Sequence, residues 1–272
     1  MKNIKIIIVL MAISVCGSAQ ENTTSRNINH KYSISIYGGM ALPTGKFSEY
    51  QTIDPSQQGV AQGFNNFNIA GAPDNGYLIG LSIHKSLKNN FEIGLNAERF
   101  SMKALRVFYP IMYYPENVQN GGTILYESNN WKVTNIFLTP AYVLPIGKLD
   151  LAFMIKAGLQ VATCPESQLI YELYFNNSNY KPRFSIFQPE IKNIALGYGA
   201  GLEGRFAVNK KIKIILNGNY ATASHSFESG SELELKSVLV APNVIPSTNH
   251  YPFNFKKKIS ILSLGVGLNF SF

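Results

Sequence analysis

The sequence is poor in cysteine, in charge and in long apolar runs. It contains 2 cysteines, Cys16 and Cys164, and the first lies in the N-terminal segment. Charged residues make up 15% of the chain, against about a quarter in soluble domains. Beyond that segment, no stretch reaches the roughly 20 continuous apolar residues of a transmembrane helix. These absences exclude a disulfide scaffold and a helical membrane protein.

The N-terminal segment has the three parts of a secretory signal peptide. Lys2 and Lys5 form a basic start, residues 6–15 form an apolar run, and a Gly-Ser-Ala triplet offers a cleavage site. The apolar run is too short to span a bilayer. We therefore expect a signal peptide at 1–19, cleaved after Ala19, and an exported mature chain.

Cys16 offers a second interpretation of this segment, as the lipidated residue of a lipoprotein. Val15 is a poor fit to the position before such a cysteine. With cleavage after Ala19, Cys164 is the cysteine that remains, so we expect no internal disulfide.

The chain is basic, but its cations are dispersed. Loss of Lys2 and Lys5 lowers the formal net charge from +8 to +6. The remaining basic residues lie in turns and loops such as 210–211 and 256–258, with no basic helix or platform for base stacking. We therefore expect no nucleic-acid partner.

Eight segments after residue 31 alternate apolar and polar residues with the period of a β-strand. They cover residues 32–42, 76–87, 91–98, 132–144, 149–161, 194–206, 212–220 and 259–272. The fifth is the clearest, because Leu149, Leu151 and Phe153 alternate with Asp150, Ala152 and Met154. The pattern predicts an all-β fold.

Long and short connections alternate between these segments. The short turns lie at 88–90, 145–148 and 209–211, and the long connections lie near 43–75, 103–131, 163–193 and 223–256. Short periplasmic turns and long extracellular loops are typical of bacterial outer-membrane barrels. We therefore predict an eight-stranded antiparallel transmembrane β-barrel at 32–272, preceded by a short periplasmic segment at 20–31.

A soluble ligand-binding barrel has the same alternation, so the composition of each face decides. The polar face is rich in Gly, Ala, Ser and Asn, which suits the cramped lumen of an eight-stranded barrel better than a surface in water. Aromatic residues lie on the apolar face at both strand ends, as at the two interfaces of a bilayer. They are Tyr32, Phe91, Tyr142, Phe206 and Phe270 near the short turns and Tyr77 and Tyr220 near the long loops.

Three short motifs carry a family resemblance. They are the signal ending at 18–20, the first strand with Tyr-Gly-Gly at 37–39 and Pro-Thr-Gly at 43–45, and the final strand at 265–272. The mature chain resembles the small, porin-like outer-membrane β-barrel proteins of the Bacteroidota type. This resemblance implies insertion by the barrel-assembly machinery with Phe270 and Phe272 as the assembly signal, although Gly265 replaces its usual polar residue.

Charged residues of both signs are predicted to face the lumen. They are Glu92, Glu98, Asp150, Lys156, Glu203, Arg205 and Lys213. One interpretation is a polar gate or proton path. The other, which we favour, is a set of ion pairs that fills the lumen, because unpaired buried charges are costly.

His225, Ser226 and Glu228 are weak candidates for a lipid-modifying catalytic site at the end of the seventh strand. A nucleophile needs a base within hydrogen-bond reach, whereas adjacent residues on a strand point in opposite directions. The glycine-rich run at 197–201 lies within a strand and has no helix after it to hold phosphate, so we expect no nucleotide cofactor. No His/Cys/carboxylate cluster has the spacing of metal ligands.

The sequence thus predicts a non-enzymatic outer-membrane protein with a filled lumen that stabilises the envelope or binds partners. The Tyr- and Asn-rich runs at 107–114 and 171–177 suit either recognition loops or strand extensions above the membrane. Expected partners are outer-membrane lipid and lipopolysaccharide, the assembly machinery, and an extracellular ligand or protein. A lipid-modifying enzyme and a small transport or secretion accessory are the alternatives.

Overall fold

The computed structural model describes residues 31–49, 72–104, 122–173, 183–238 and 247–272. The expected signal peptide at 1–19 and the recognition run at 107–114 lie outside them. The strands are β1 (Tyr32–Pro43), β2 (Pro73–Ser86), β3 (Phe91–Ala104), β4 (Gly122–Ser128), β5 (Asn130–Ile146), β6 (Leu149–Cys164), β7 (Ser167–Leu173), β8 (Arg183–Gln188), β9 (Ile191–Ala207), β10 (Ile212–Val238) and β11 (Ser247–Ser271). A 3-10 turn at Gly45–Phe47 follows β1. Within the described ranges, no helix is long and apolar enough to cross a membrane.

Eight strands form a closed antiparallel ring. Their order is β1, β2, β3, β5, β6, β9, β10 and β11, and β11 pairs with both β10 and β1. At the seam, Ser33 lies opposite Ser271 and Pro43 lies opposite Ile261. Closure leaves no strand edge, which is the condition for crossing lipid with strands. The predicted eight-stranded antiparallel barrel is confirmed.

The seventh and eighth strands are longer than predicted. The sequence pattern ended β10 near residue 220 and began β11 at 259, but the two strands stay paired up to Ser237 and Ser247. Together with β8, β7 and β4 they form an extension of the same sheet beyond the barrel, which we call the second sheet. The added lengths of β10 and β11 lie in the connection near 223–256 that was predicted to be a long loop, although Leu233 and Leu235 alternate there with Glu234 and Lys236.

Tight turns join the strands at the opposite end, which we call the short-turn end. Asn89 and Asn90 have φ of 60° and 63°, the left-handed conformation that a two-residue hairpin turn requires. Gly147 has φ of 61° in the second turn. In the third, Asn209 Oδ1 accepts hydrogen bonds from the N–H groups of Lys211 and Ile212. The other end, which carries the second sheet, is the loop end.

Apolar side chains cover the outside of the ring and polar side chains line its inside. On β6, Phe153 and Ile155 are exposed, whereas Ala152 and Lys156 are fully buried. The same alternation runs round the ring, and Tyr32, Phe91, Tyr142, Phe206, Tyr77 and Tyr220 are all exposed on the outer face. This is the reverse of a soluble barrel and the arrangement of a transmembrane one.

Inward-facing glycines make room for the larger side chains directly opposite them on the next strand. Gly80 lies opposite Tyr37, and a Cβ at Gly80 would overlap the Tyr37 ring. The same relation holds for Gly94 with His84, Gly158 with Phe137, Gly201 with Asn219, and Gly265 with Asn217. The small residues of the polar face therefore seat individual rings and amides inside the barrel.

We expect Gly80→Ala to destabilise the barrel by about 1–3 kcal/mol, the cost of overpacking a well-packed interior. The added methyl overlaps the Tyr37 ring, which the hydrogen bonds of its hydroxyl group with Glu98 and Asn96 hold in place. The matched control is Gly218→Ala on the outer face, where a Cβ would lie 3.5 Å from a Leu264 methyl. The measurement is unfolding in detergent by urea; equal loss in both variants would contradict this packing argument.

Candidate functional site

The seven charged residues predicted to face the lumen all lie inside the barrel, in three ion-paired groups. These are Lys213–Asp150 (2.7 Å), Arg205 with Glu92 (2.8 Å) and Glu203 (2.6 Å), and Lys156–Glu98 (3.0 Å). Four carboxylates face three cations, so these three groups together have one excess negative charge. That excess lies at Arg205, which is shared by two carboxylates.

Glu98 is the centre of the deepest group. Its Oε1 accepts hydrogen bonds from Lys156 Nζ (3.0 Å), Tyr37 Oη (3.0 Å) and Asn219 Nδ2 (3.1 Å). Asn96 Nδ2 donates to Tyr37 Oη at 2.7 Å. The period-2 pattern of β1 and β3 puts Tyr37 and Asn96 on the polar face. Their contacts with Glu98 cannot be predicted from that pattern, because they require the pairing of strands distant in the chain.

Exposure of the charged side chains falls with distance from the short-turn end. The Lys213 side chain is 19% exposed and that of Glu92 is 12% exposed, whereas Glu98 and Lys156 are at 0%. Solvent therefore approaches the lumen from the short-turn end.

Several buried polar atoms of this part of the lumen have no hydrogen-bond partner among the described residues. They are Ser82 Oγ, both ring nitrogens of His84, Asn96 Oδ1, Glu98 Oε2, Thr139 Oγ1, Arg205 Nη2, both side-chain atoms of Asn217, and Asn219 Oδ1. A buried polar group left unpaired costs about 1–3 kcal/mol. This part of the lumen is therefore suited to ordered water, as polar cavities in proteins are.

The loop end of the lumen is packed with apolar side chains, which we call the apolar cap: Phe47, Phe100, Met102, Trp131, Val133 and Phe227. Each is at most 1% exposed. Phe47 reaches the cap from the 3-10 turn and packs edge-on against Trp131 at 5.3 Å, and Trp131 contacts Phe227 at 6.1 Å between ring centroids. The sequence analysis missed the cap because it ended the third strand at Glu98 and assigned Trp131 to a loop.

Lys257 and Cys164 border the apolar cap. Lys257 Nζ lies 5.6 Å from the Trp131 ring centroid and 5.7 Å from that of Phe47, as in a cation–π contact. The Cys164 thiol is fully buried, and its Sγ accepts a hydrogen bond from Gln188 Nε2. A structural cysteine buried in this way is unreactive.

His225 lies at the same level, and both its ring nitrogens face amide groups. Nδ1 lies 2.9 Å from Asn193 Oδ1, and Nε2 lies 3.0 Å from Gln160 Oε1. Asn193 Nδ2 donates to the Ser226 backbone oxygen, which fixes the orientation of Asn193. The neutral ring thus donates from Nδ1 to Asn193 Oδ1.

The three weak catalytic candidates are not brought into a catalytic arrangement by the described residues. His225 points inward, and Ser226, the next residue on β10, lies on the other face. The side chain of Glu228 lies outside what the structure describes. Among the described residues, no group of three His, Cys, Asp or Glu side chains could hold a metal ion.

The predicted assembly signal lies at the seam of the ring. The backbone N–H of Phe272 donates to the Tyr32 oxygen at 2.9 Å, and the Phe272 side chain is exposed on the outer face. Phe270 lies between Ile34 of β1 and Ile212 of β10. Their role in assembly stays a prediction.

We expect Lys156→Met to cost about 3–5 kcal/mol, because it leaves Glu98 as an unpaired buried charge. The double variant Glu98→Gln/Lys156→Met removes both charges and should recover most of that loss. Urea unfolding in detergent measures both. A double variant no more stable than the single one would show that the charges are not coupled.

No protein-family model matches the sequence, and no curated protein matches it. Among solved structures, the chain is similar to Neisserial surface protein A, with 8% identity over 89% of this chain and 97% of that one at a TM-score of 0.43. The attachment invasion locus protein Ail of Yersinia pestis has 12% identity over 89% and 99% at 0.37. The outer membrane protease OmpT from Escherichia coli has 10% identity over 92% and 99% at 0.34.

Proposed function

We propose that this protein is a non-enzymatic outer-membrane β-barrel that conducts no solute and serves as a rigid base for a partner-binding sheet. The membrane part of the proposal is supported by the outer surface of the ring. Exposed apolar side chains surround it, with aromatic residues at both strand ends. Closed barrels with such a surface span the outer membranes of Gram-negative bacteria.

The apolar cap is the main observation that supports a lumen closed to solutes. Eight strands enclose a lumen just wide enough to be filled by side chains, and here Trp131 contacts both Phe47 and Phe227 at the loop end. A hydrated ion that entered from the short-turn end would have to lose its water against these rings, which is costly. The ion pairs connect the charged side chains inside the barrel, and the apolar cap blocks the loop end of the lumen.

The second sheet supplies the surface for partners. It is built on β10 and β11, which continue from the barrel into the sheet with one shift in pairing register between Ser229 and Leu233. Strands anchored in a closed ring are held more firmly than loops. A sheet above the outer leaflet, with β7 as one of its strands, suits recognition of an extracellular protein or ligand.

The surroundings of His225 support a structural role in place of catalysis. Its ring contacts the amides of Asn193 and Gln160, whereas a catalytic histidine needs a nucleophile on one nitrogen and an orienting group on the other. His225→Ala is expected to leave the lipid profile of the host outer membrane unchanged. Membership of the Bacteroidota-type family is part of the same proposal.

The expected result in planar bilayers is no conductance for the wild type and discrete openings for Trp131→Ala/Phe227→Ala, because removal of two rings from the apolar cap opens a path. Each sample is first run on a gel with and without boiling, and a shift only on boiling marks the folded barrel. Gly218→Ala on the outer face is the closed control. Channel openings in the wild type, or no openings in the Trp131→Ala/Phe227→Ala variant, would contradict the proposed seal.

A further inference from the structure

Four cationic side chains lie on the outside of the barrel, just beyond the apolar surface on the face formed by β3, β5, β6 and β9. We call them the cationic patch: Arg99, Lys103, Lys132 and Lys192. The side chains of Lys132 and Lys192 are 43% and 69% exposed. All four belong to the outward-facing set of their strands.

The pairing register places this patch at a sharp change in polarity. Outward-facing residues form rows of cross-strand partners that run across this face. Three such rows follow one another towards the loop end. They are Leu81–Ala97–Ile136–Leu159–Leu196, then Ile79–Arg99–Thr134–Val161–Ile194, then Tyr77–Ser101–Lys132–Thr163–Lys192. The first row is entirely apolar, the second contains one cation, and the third contains two cations and a tyrosine. Such a change marks the level of lipid head groups.

Local acidic residues do not neutralise the cationic patch. Glu190 lies between two of its members, 3.5 Å from Lys132 and 3.4 Å from Lys192, so two lysines share one carboxylate. Arg99 and Lys103 have no ion-pair partner in the part of the chain that the structure describes. The patch with Glu190 thus has a net charge of +3, held on rigid paired strands.

We propose that the cationic patch binds the phosphate groups of a phosphorylated glycolipid in the leaflet at the loop end. This inference rests on the proposed function, because that leaflet surrounds the patch only if the barrel spans the outer membrane. Lysine and arginine form strong charge-assisted hydrogen bonds with phosphate, and cations at a membrane surface attract anionic lipid. The exposed Ile79 and Ile194 beside the patch accommodate the acyl chains of the same molecule, which free phosphate or a nucleic acid lacks.

The lysines at the short-turn end provide a matched control. Lys148 and Lys210 are exposed on separate turns and form no row of cross-strand partners. They face the opposite leaflet if the barrel spans the membrane as proposed. Replacement of these two removes the same charge as replacement of Lys132 and Lys192.

The test measures binding of lipid A, a bis-phosphorylated glycolipid, to the purified full chain in neutral detergent by native mass spectrometry. Lys132→Gln/Lys192→Gln is expected to weaken binding about tenfold or more, and Lys148→Gln/Lys210→Gln is expected to leave it nearly unchanged. Dephosphorylated lipid A should bind weakly to all three proteins. Inorganic phosphate should not displace lipid A at equal concentration.

Three results would overturn the inference: equal binding of the dephosphorylated lipid, an equal loss in the control variant, or displacement by inorganic phosphate. The boiling-dependent gel shift of the same samples separates this inference from the proposed function. If the gel migration of the wild type shifts on boiling but the protein binds lipid A and dephosphorylated lipid A equally, only the inference about the cationic patch is overturned. A wild type without the shift contradicts the barrel itself.

Discussion

Closure of the strand ring is the constraint on which the rest of the structure depends. No water reaches backbone N–H and C=O groups in a hydrocarbon layer, so each strand must pair on both sides. The first and last strands meet this condition by pairing with each other, from Ser33 opposite Ser271 to Pro43 opposite Ile261. Closure then assigns every residue of a strand to lipid or to the lumen, which is why the polarity of the chain alternates.

The narrow lumen sets the next constraint. The lumen of an eight-stranded barrel has little room for inward side chains. Glycines opposite Tyr37, His84 and Phe137 leave the space that these larger side chains occupy. The charges inside are tolerated because they are paired, most deeply at Glu98 and Lys156. The lumen thus has two parts. The polar part, towards the short-turn end, is suited to bind water, and the apolar cap at the loop end is suited to exclude it.

Sequence reasoning succeeded where each residue faces either lipid or the lumen. It predicted the eight barrel strands, their short turns and the inward orientation of charges from Glu92 to Lys213, because period-2 alternation reports that choice directly. It missed the ends of β10 and β11 and the strands β4 and β8, which lie in connections predicted to be long loops. For the segment that ends β7, it gave a strand extension at 171–177 only as one of two interpretations. The contacts of Tyr37 with Glu98 and of Phe47 with Trp131 depend on pairing between distant strands and on loop placement, which no local pattern contains.

The division of the lumen into a hydrated part and a dry apolar cap is tested most directly by a crystal structure that resolves ordered water. The account predicts water bound to Ser82, His84 and Asn217 at the short-turn end, and none between Phe47, Trp131 and Phe227. A continuous file of water through the apolar cap to the loop end would contradict it.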